Sequence, residues 1–424
     1  MMFEVVLKIE VKEKGENFKE IENRIKTTAF KGAQDLAKLA FKEFESNWLL
    51  KHKSARNKGV ELGKFKSSFG EFSFPRTKVK HKGSTYYPLD KWIGVTPYRR
   101  QTPTFKDILE DEYTDRTFRK GTKTVEKRTG VKISPYSGWE SFQRIAEEKK
   151  KLNSNNSVRL KNLPLPKLSF GEENPCPVLR IEPDETYCRS QPICLKDQEI
   201  KIATLYTGKK YSGKKHKRAE LLNKTVVTAY VGESVSSFVG RVAEVAIKTY
   251  GANENTVVII CGDGVGWIPR LKYDYFEKAT YFLDWWHVKK KMQLAFGKPA
   301  TEDMMDFIYA RNPNALLRHI ETEYFSGSSP KVFDAAEAFY NYIDYNKEGL
   351  EFSGIDPNFK KEHPGMFKRG SGVIERNVDL VIGERCKLKR MRWSPKGLDN
   401  MRFLRENRIN KQVDSPILKM VSNF

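Results

Sequence analysis

The chain has 424 residues, with 77 Lys+Arg against 54 Asp+Glu and a formal net charge of +23. Its 39% hydrophobic and 12% aromatic content excludes wholesale disorder and is ample for two to three domains of ~100–200 residues each. No apolar run approaches the roughly 18 residues of a membrane span, and the five cysteines, without a CxxC pair, exclude a disulfide scaffold and argue against structural zinc.

The first twenty residues mix acids and bases into their apolar run, unlike a signal peptide, so a reducing, cytoplasmic setting is expected. Residues 15–50 place Phe18, Ile21, Ile25, Phe30, Leu36, Leu39 and Phe41 at helical spacing and predict one or two amphipathic helices. The run 51–59 reads as a basic loop. The stretch that follows alternates apolar and polar residues around His81-Lys82-Gly83-Ser84, as a β-hairpin does. Together these make an N-terminal α+β region, 1–102. Residues 103–150 turn helical: one helix opens at Phe105–Leu109, a second covers Thr114–Arg128, and Gly130 punctuates the chain. Ser134-Pro135 then offers an N-cap and a first-turn proline for a third. Helix, short turn, helix is the helix-turn-helix plan, which bundles that never touch DNA also share. Residues 151–176, polar and rich in Pro and Asn, read as a linker.

Strand signals begin at 178–188 and continue at 199–208 and 224–232. A helix follows at 234–250, then a buried β-run at 256–268 ending in a glycine turn, then a strand running into a helix at 279–292. This order predicts a mixed α/β sheet flanked by helices. Residues 288–370 are wholly helical in pattern and read as an insertion, so 177–287 and 371–424 are two parts of one domain.

The positive charge is unevenly placed. Residues 1–170 hold 37 basic and 21 acidic side chains, residues 51–100 hold 13 and 3, and residues 385–411 hold ten and two. Like charge at this density calls for a polyanion, and phosphate is the usual one, although a solvated surface also carries such charge. Candidate DNA contacts are Lys132 and Arg144 in the helical region, Lys215 and Arg218 in the basic loop KKYSGKKHKR, and Lys389 and Arg390 in the last cluster. His216 lies in that same loop and is given no catalytic role.

Asp184 and Asp263 end or closely follow the apolar runs VLRIEPD and VVIICGD. An ionised carboxylate at the end of a buried strand is costly unless paired, hydrogen-bonded or liganding a cation. Each alone also reads as a turn residue, since Asp-Glu and Asp-Gly are common turn dipeptides. A third acid, Glu375, sits on the first turn of a helix after Gly370-Ser371-Gly372, with Glu384 as its competitor. Three carboxylates in a basic protein match two-metal phosphoryl transfer, in which hard Mg²⁺ is held by a few carboxylates and substrate phosphates. At roughly 100° per residue, two glutamates nine residues apart on one α-helix face opposite sides, so only one of them joins Asp184 and Asp263.

Five stretches in order, SFGEFSFPRTKVKHKGSTYYPLDKWIGV, RIEPDETY, CGDGVGWI, YFLDWWHVKKKM and IERNVDLVIGERCKLKRMRWSPKGLDNMRFLR, span about residues 65 to 405. They resemble the ISLre-type insertion-sequence transposases, a bacterial family long catalogued as uncharacterised and related to the Mutator-like group. The resemblance implies a DDE transposase with an RNase H-like fold, interrupted by an all-helical insertion between the second Asp and the Glu. On the matching positions the acids are Asp184, Asp263 and Glu375. Their separations are 79 and 112 residues, and the longer gap has room for the helical segment. LDWWH resembles the Cys/Asp-x-x-His signature of related transposases and carries it onto Asp284 and His287, which brace the insertion, touch DNA or form a structural pair. Trp285 and Trp286 read either as a stacking surface for an unpaired base or as half-buried core. Cys261 reads as packing.

The expectation is therefore a DNA transposase that binds terminal inverted repeats and target DNA. Two Mg²⁺ ions (Mn²⁺ as substitute) would be held by Asp184, Asp263 and Glu375, and the protein would work as at least a dimer on DNA, nucleoid-associated and away from membranes. The alternatives are an RNase H-like nuclease or resolvase without strand transfer, and an inactive DNA-binding remnant. The tail NKQVDSPILKMVSNF carries no further family-like pattern and keeps the remnant in view.

Overall fold

The computed structural model describes residues 4–9, 17–96, 99–156, 175–193, 195–212, 218–326, 329–351, 354–370 and 372–412. The chain divides into two compact units, Met1–Ser154 and Asn155–Phe424. Among the described residues no helix is long and apolar enough to cross a membrane.

In the first unit, helix α1 (Phe18–Lys51) is a single 34-residue helix closed by an Asn17–Glu20 capping box. Strands β1 (Arg56–Ser67) and β2 (Gly70–His81) form a long antiparallel hairpin, and β3 (Ser84–Tyr86) adds to β2 through the expected turn at 82–83. The run 51–59 is thus only in part a loop, because β1 begins at Arg56. Phe41 of α1 packs against Phe65, Phe72 and Phe74 of the hairpin, at ring-centroid distances of 5.4, 5.9 and 5.4 Å. A short helix α2 (Pro88–Ile93) carries Asp90, which pairs with the fully buried Arg76. Three more helices follow, α3 (Pro103–Asp115), α4 (Phe118–Thr129) and α5 (Pro135–Asn156). Tyr113, Phe118 and Phe142 make their shared aromatic core. The break between α3 and α4 falls at Thr117, whose hydroxyl caps α4, three residues later than the periodicity suggests. Helix α5 runs on to Asn156, so the linker does not begin at 151; residues 157–174 lie outside the described residues.

The second unit is built on a five-stranded mixed sheet in the order β10-β9-β4-β5-β8. Strands β4 (Val178–Cys188), β5 (Gln198–Tyr206) and β8 (Thr225–Thr228) are antiparallel neighbours. Strands β9 (Val257–Gly262) and β10 (Thr280–Leu283) run parallel to β4 on its other side. A two-stranded hairpin, β6 (Gly208–Ser212) with β7 (Arg218–Leu222), was not signalled by the pattern and intervenes before β8. Helices α6 (Val235–Tyr250) and α7 (Arg270–Tyr275) cover the sheet face formed by Leu179, Ile181, Leu205, Val258 and Ile260. The opposite face carries Val178, Tyr206, Ile259, Cys261 and Phe282, covered by Met366 and the chain around it.

Between the two parts of this domain lie α8 (Trp285–Phe296), α9 (Lys298–Tyr309), α10 (Pro313–Tyr324), α11 (Pro330–Asn346) and the short α12 (Pro357–Glu362). Helices α8 to α11 enclose their own core of Met304, Ile308, Leu316, Phe339 and Ile343, in keeping with the helical pattern read there. After it, α13 (Val373–Val378) continues directly into a π-helix over Asp379–Lys387. A final helix, α14 (Pro395–Gln412), lies along the edge strand β8. Asn410 on that helix accepts from Val226 N at 2.8 Å and donates to Val226 O at 2.9 Å, closing an edge that would otherwise invite another strand.

One buried tie joins these parts. Arg180 on the central strand donates to Glu182 at 2.7 Å and to the carbonyls of Met366 and Lys368 at 2.5 and 2.7 Å, while Tyr206 donates to Glu182 at 2.6 Å. Removing one partner of such a pair leaves the other charge buried alone, at a cost of ~3–5 kcal/mol. Arg180→Met is therefore expected to lower the stability of the second unit by about that amount in urea unfolding, with the transition of the first unit unmoved. An unchanged midpoint would show that the tie does not hold the return of the insertion.

Candidate functional site

Side-chain parity and strand register together build the site. On β4, Val178, Arg180, Glu182 and Asp184 alternate onto one face; on β9 and beyond it, Ile259, Cys261 and Asp263 do the same. Ile181 lies opposite Ile260 in the parallel ladder. The same offset carried three residues further sets Asp184 level with Asp263. Leu283 lies opposite Gly262, and Asp284 N donates to Gly262 O at 2.8 Å, which brings Asp284 to that level from the third strand. Adjacent strands are roughly 4.7–4.9 Å apart, so Asp263 and Asp284, just past the ends of β9 and β10, converge with Asp184, which lies within β4 four residues before its end and beyond its parallel ladder with β9. A gap of about 10 Å³, room for one water-sized sphere, is lined by Asp184, Asp263, Asp284, His287 and Ile374.

The loop after Asp263 is held from the insertion. Tyr342 donates to Asp263 O at 2.8 Å, and Asn346 to Gly264 O at 3.2 Å. Gly264 has φ +86°, and a Cβ there would fall 2.7–2.9 Å from Tyr342, Leu283 and Asn346, so glycine is required for the clamp to close. Gly370 is similarly constrained, with φ +96° and the Asp284 carboxylate 3.0 Å from where a Cβ would stand.

Glu375 enters from α13. Its Oε1 lies 3.5 Å from His287 Nε2, and its Oε2 is buried without a hydrogen-bond partner. Asp284, His287 and Glu375 place their ligating atoms within 4.8 Å of one another. This group is tighter than the Asp184–Asp263–Glu375 set read from the sequence, which gathers at the same strand ends with less convergence. Glu384 turns elsewhere: it pairs with Arg376 at 3.2 Å and Arg405 at 3.3 Å. The two glutamates do diverge, but not by the 100°-per-residue arithmetic, because the intervening turns are π-helical. Glu384's partners are also not the neighbouring Arg385, Lys387 and Lys389 that the sequence offers.

The electrostatics follow from the geometry. Burial pushes the Asp184 carboxyl up to about 6, and the Asp263 and Glu375 charges add to this against the Glu185 N–H that it accepts at 2.8 Å. Burial likewise raises Asp284, opposed by the Trp286 N–H at 2.8 Å. Glu375 is held below the usual carboxylate range by its hydrogen bond from His287. Burial works against protonating His287, but Glu375, Asp284 and Asp263 outweigh it and raise the imidazole. An orphaned buried oxygen and a half-compensated set of carboxylates with one imidazole are donors that suit a divalent cation such as Mg²⁺ or Mn²⁺.

The remaining candidates scatter. Lys132 is exposed, 3.9 Å from Glu126, and Arg144 is exposed on α5. Lys215 and His216 lie outside the described residues, as do the side chains of Arg218 and Lys389; Arg390 is exposed. Part of the last basic cluster serves the interior, since buried Arg402 pairs with Asp399 at 2.7 Å and Glu406 at 3.3 Å, and buried Arg405 donates to Val381 O at 3.0 Å. Trp285 packs against Tyr309 in the insertion core, whereas Trp286 is 58% exposed. Cys261 is buried packing, as expected. Sequence reasoning missed the Arg180–Glu182 pair, although charged residues at every second position of an apolar strand were its signal. Nothing marked Tyr342 and Asn346.

The chain belongs to the uncharacterised protein family UPF0236, whose signature it matches over residues 11–350. It is 26% identical over 343 residues to a "UPF0236 protein in vanSb 3'region" of Streptococcus gallolyticus, covering 79% of this chain and 70% of that one. Among solved structures it is similar to the Drosophila P element transposase in its strand transfer complex, with TM-score 0.24, 10% identity and coverage of 72% of this chain and 79% of that one. It is also similar to NurA bound to dAMP and manganese, with TM-score 0.11, 13% identity and coverage of 63% and 60%. Likenesses this faint carry no functional argument.

A carboxyl raised from 3.8 to about 6 makes the folded protein bind a proton more tightly than the unfolded chain does. Stability is therefore lost as pH rises from about 4 through 6. In EDTA, Asp184→Asn should unfold later than the native chain at pH 7.5, by up to about 3 kcal/mol. That advantage should shrink below pH 6 and vanish near pH 4. A native chain that is the more stable of the two at pH 7.5 would contradict the crowding of charge described above.

Proposed function

We propose that this protein is a metal-dependent DNA transposase of the DDE type, acting on the ends of its own element. The observation that carries the reading is that Asp184, on β4 just past the end of its parallel ladder with β9, and Asp263, just past the end of β9, line one gap, with the unpartnered Oε2 of Glu375 beside them. The mixed sheet flanked by helices, and the helical insertion between the second Asp and the Glu, support an RNase H-like domain.

Asp184, Asp263 and Glu375 would hold the cations, and Asp284 with His287 adds a second group of donors, the number that two-ion chemistry uses. Bound Mg²⁺ or Mn²⁺ supplies charge stabilisation at the scissile phosphate and an activated attacking oxygen, first of water and then of a 3′-hydroxyl. The protein's own part is placement. The β4–β9 register fixes two carboxylates, the Tyr342–Asn346 clamp fixes the loop that carries one of them, and His287 holds Glu375. No Ser or Tyr nucleophile is required.

DNA recognition is assigned to the first unit. There α4 exposes Arg119, Lys120, Lys123 and Lys127, and the hairpin exposes Arg56, Lys58, Lys64 and Lys80. A helix and a two-stranded ribbon both fit the major groove. At least a dimer is proposed on paired ends.

Cleavage of end-containing DNA should require Mg²⁺ or Mn²⁺ and vanish in Asp184→Ala and Asp263→Ala; full cutting in EDTA would refute the reading. Glu375→Gln should abolish cutting while DNA binding persists, and Glu384→Gln should retain most activity, with the opposite pattern moving the third ligand. Cutting without joining, in a strand-transfer assay, would turn the assignment to a nuclease or resolvase. A fragment covering 1–154 should bind end DNA in gel shifts with affinity falling steeply as salt rises, and end specificity confined to 155–424 would overturn the division of labour.

A further inference from the structure

Beside the carboxylates, the second unit has a cleft of about 1400 Å³, larger than the ~300–1,000 Å³ of small-molecule pockets. Asp284 lines both this cleft and the small gap among the carboxylates, so the two spaces meet at that side chain. Glu375 stands on the cleft wall nearby.

The rest of the lining sets five cations, Lys209, Lys224, Lys368, Arg369 and Arg376, and the rings of Tyr211 and Trp286 among small and aliphatic side chains. Lys209 is only 9% exposed and makes no ion pair among the described residues; its ammonium stands 5.3 Å from the Tyr206 ring. Burial, together with the neighbouring Arg180 guanidinium, pushes it down to about 8 against the opposing pull of the Glu182 carboxylate, which is itself taken by Arg180 and Tyr206. Lys224 is half-buried and has a neutral partner, Asn377 Oδ1 at 3.0 Å. Lys368 is exposed, and Arg376 pairs with the half-exposed Glu384, an ion pair of the weak surface kind. The acids on the lining are Glu220, on the far hairpin, and the Asp284–Glu375 end itself. Trp286, at 58% exposure, presents an indole to the cleft with Lys290 5.0 Å from its ring.

We infer that this cleft is a track for a single strand of DNA, with Lys209, Lys224, Lys368 and Arg376 taking its phosphates and Trp286 stacking on an unpaired base where the strand reaches Asp284 and Glu375. The inference rests on the nucleic-acid reading above and names the form in which the substrate meets the carboxylates. A paired duplex turns only base edges outward, whereas an exposed indole offers a stacking face that unpaired bases use. A cation as deep as Lys209 is reached by a lone backbone and not by the flank of a helix.

The test uses the full-length chain in EDTA with a fluorescein-labelled 15-nucleotide thymidine strand and a 15-base-pair duplex. The single strand should bind, and a strand carrying 5-bromodeoxyuridine should photocrosslink to the peptide holding Trp286. Lys209→Met should weaken binding; because that variant disturbs a buried position, the surface double variant Lys368→Gln/Arg376→Gln carries the same test without risk to the core. The double variant should lower the slope of log affinity against log salt by about 1.4, at ~0.7 for each cation withdrawn from the single-strand backbone, and weaken binding at least tenfold at 100 mM salt. Unchanged slope and affinity in the double variant, crosslinks confined to other peptides, or equal occupancy of the cleft by duplex would each overturn the inference. Native-like cutting by Lys368→Gln/Arg376→Gln with native-like binding would sink the track and leave the catalytic reading standing. A strand seated in the cleft of a chain that cuts with no metal would do the reverse.

Discussion

Arg180 and Glu182 form an ion pair in the middle of the central strand, where their side chains are 0% and 3% exposed. Burying two charges there is costly unless every remaining donor and acceptor finds a partner. Tyr206 and the carbonyls of Met366 and Lys368 supply most of them, while one guanidinium nitrogen, Nη2, stays unpartnered. The consequence reaches well beyond β4. Because those carbonyls belong to the segment that returns from the insertion, satisfying Arg180 draws that segment across the sheet. The covered face is the one on which Asp184 and Asp263 stand. Val373, Ile374 and Glu375 follow within ten residues of the tie, so the approach of α13 to the strand ends is set by a hydrogen-bond requirement two residues before a carboxylate.

The strand ends themselves are electrostatically frustrated. Parallel neighbours in register bring like charges together, and burial amplifies the repulsion, as the raised Asp184 and Asp284 carboxyls record. The Glu185 and Trp286 N–H groups answer this in part, and His287 does so while facing Glu375. The fold tolerates the arrangement because it is braced from both sides. The Tyr342 and Asn346 side chains hold the loop after β9, and the Asp284 side chain caps α8. The crowded carboxylates are thus held in place by the sheet and the helices packed on it.

Charge elsewhere is divided between interior and surface in a way that composition conceals. Arg76, Arg180, Arg402 and Arg405 are buried in structural pairs or carbonyl contacts, and Asn410 and Glu406 close the edge of β8 in the midst of a basic helix. Among the described residues, exposed cations stand on α4, on the hairpin of the first unit, and around the cleft of the second.

The sequence alone determined the strands of the five-stranded sheet, the helical pattern after β10, and the face on which Asp184 and Asp263 lie, because a period of two fixes which side chains share a face of a strand. It also carried the ordered motifs through which the family was legible. It did not determine which distant segment would cover that face. Glu375 and Glu384 differ in destination because α13 passes into a π-helix, a change of pitch with no periodic signature. Asp284 and His287 were marked only by resemblance, and their convergence with Glu375 depends on where β10 ends. Of the Lys209 cleft the sequence marked the basic run that opens at Lys209 and the exposed Trp286 and not their joint lining, and the Tyr342 clamp left no local trace. Local pattern encodes the face a residue presents to its own element, whereas the partner it meets there depends on chain closure over tens to hundreds of residues, which tertiary packing alone decides.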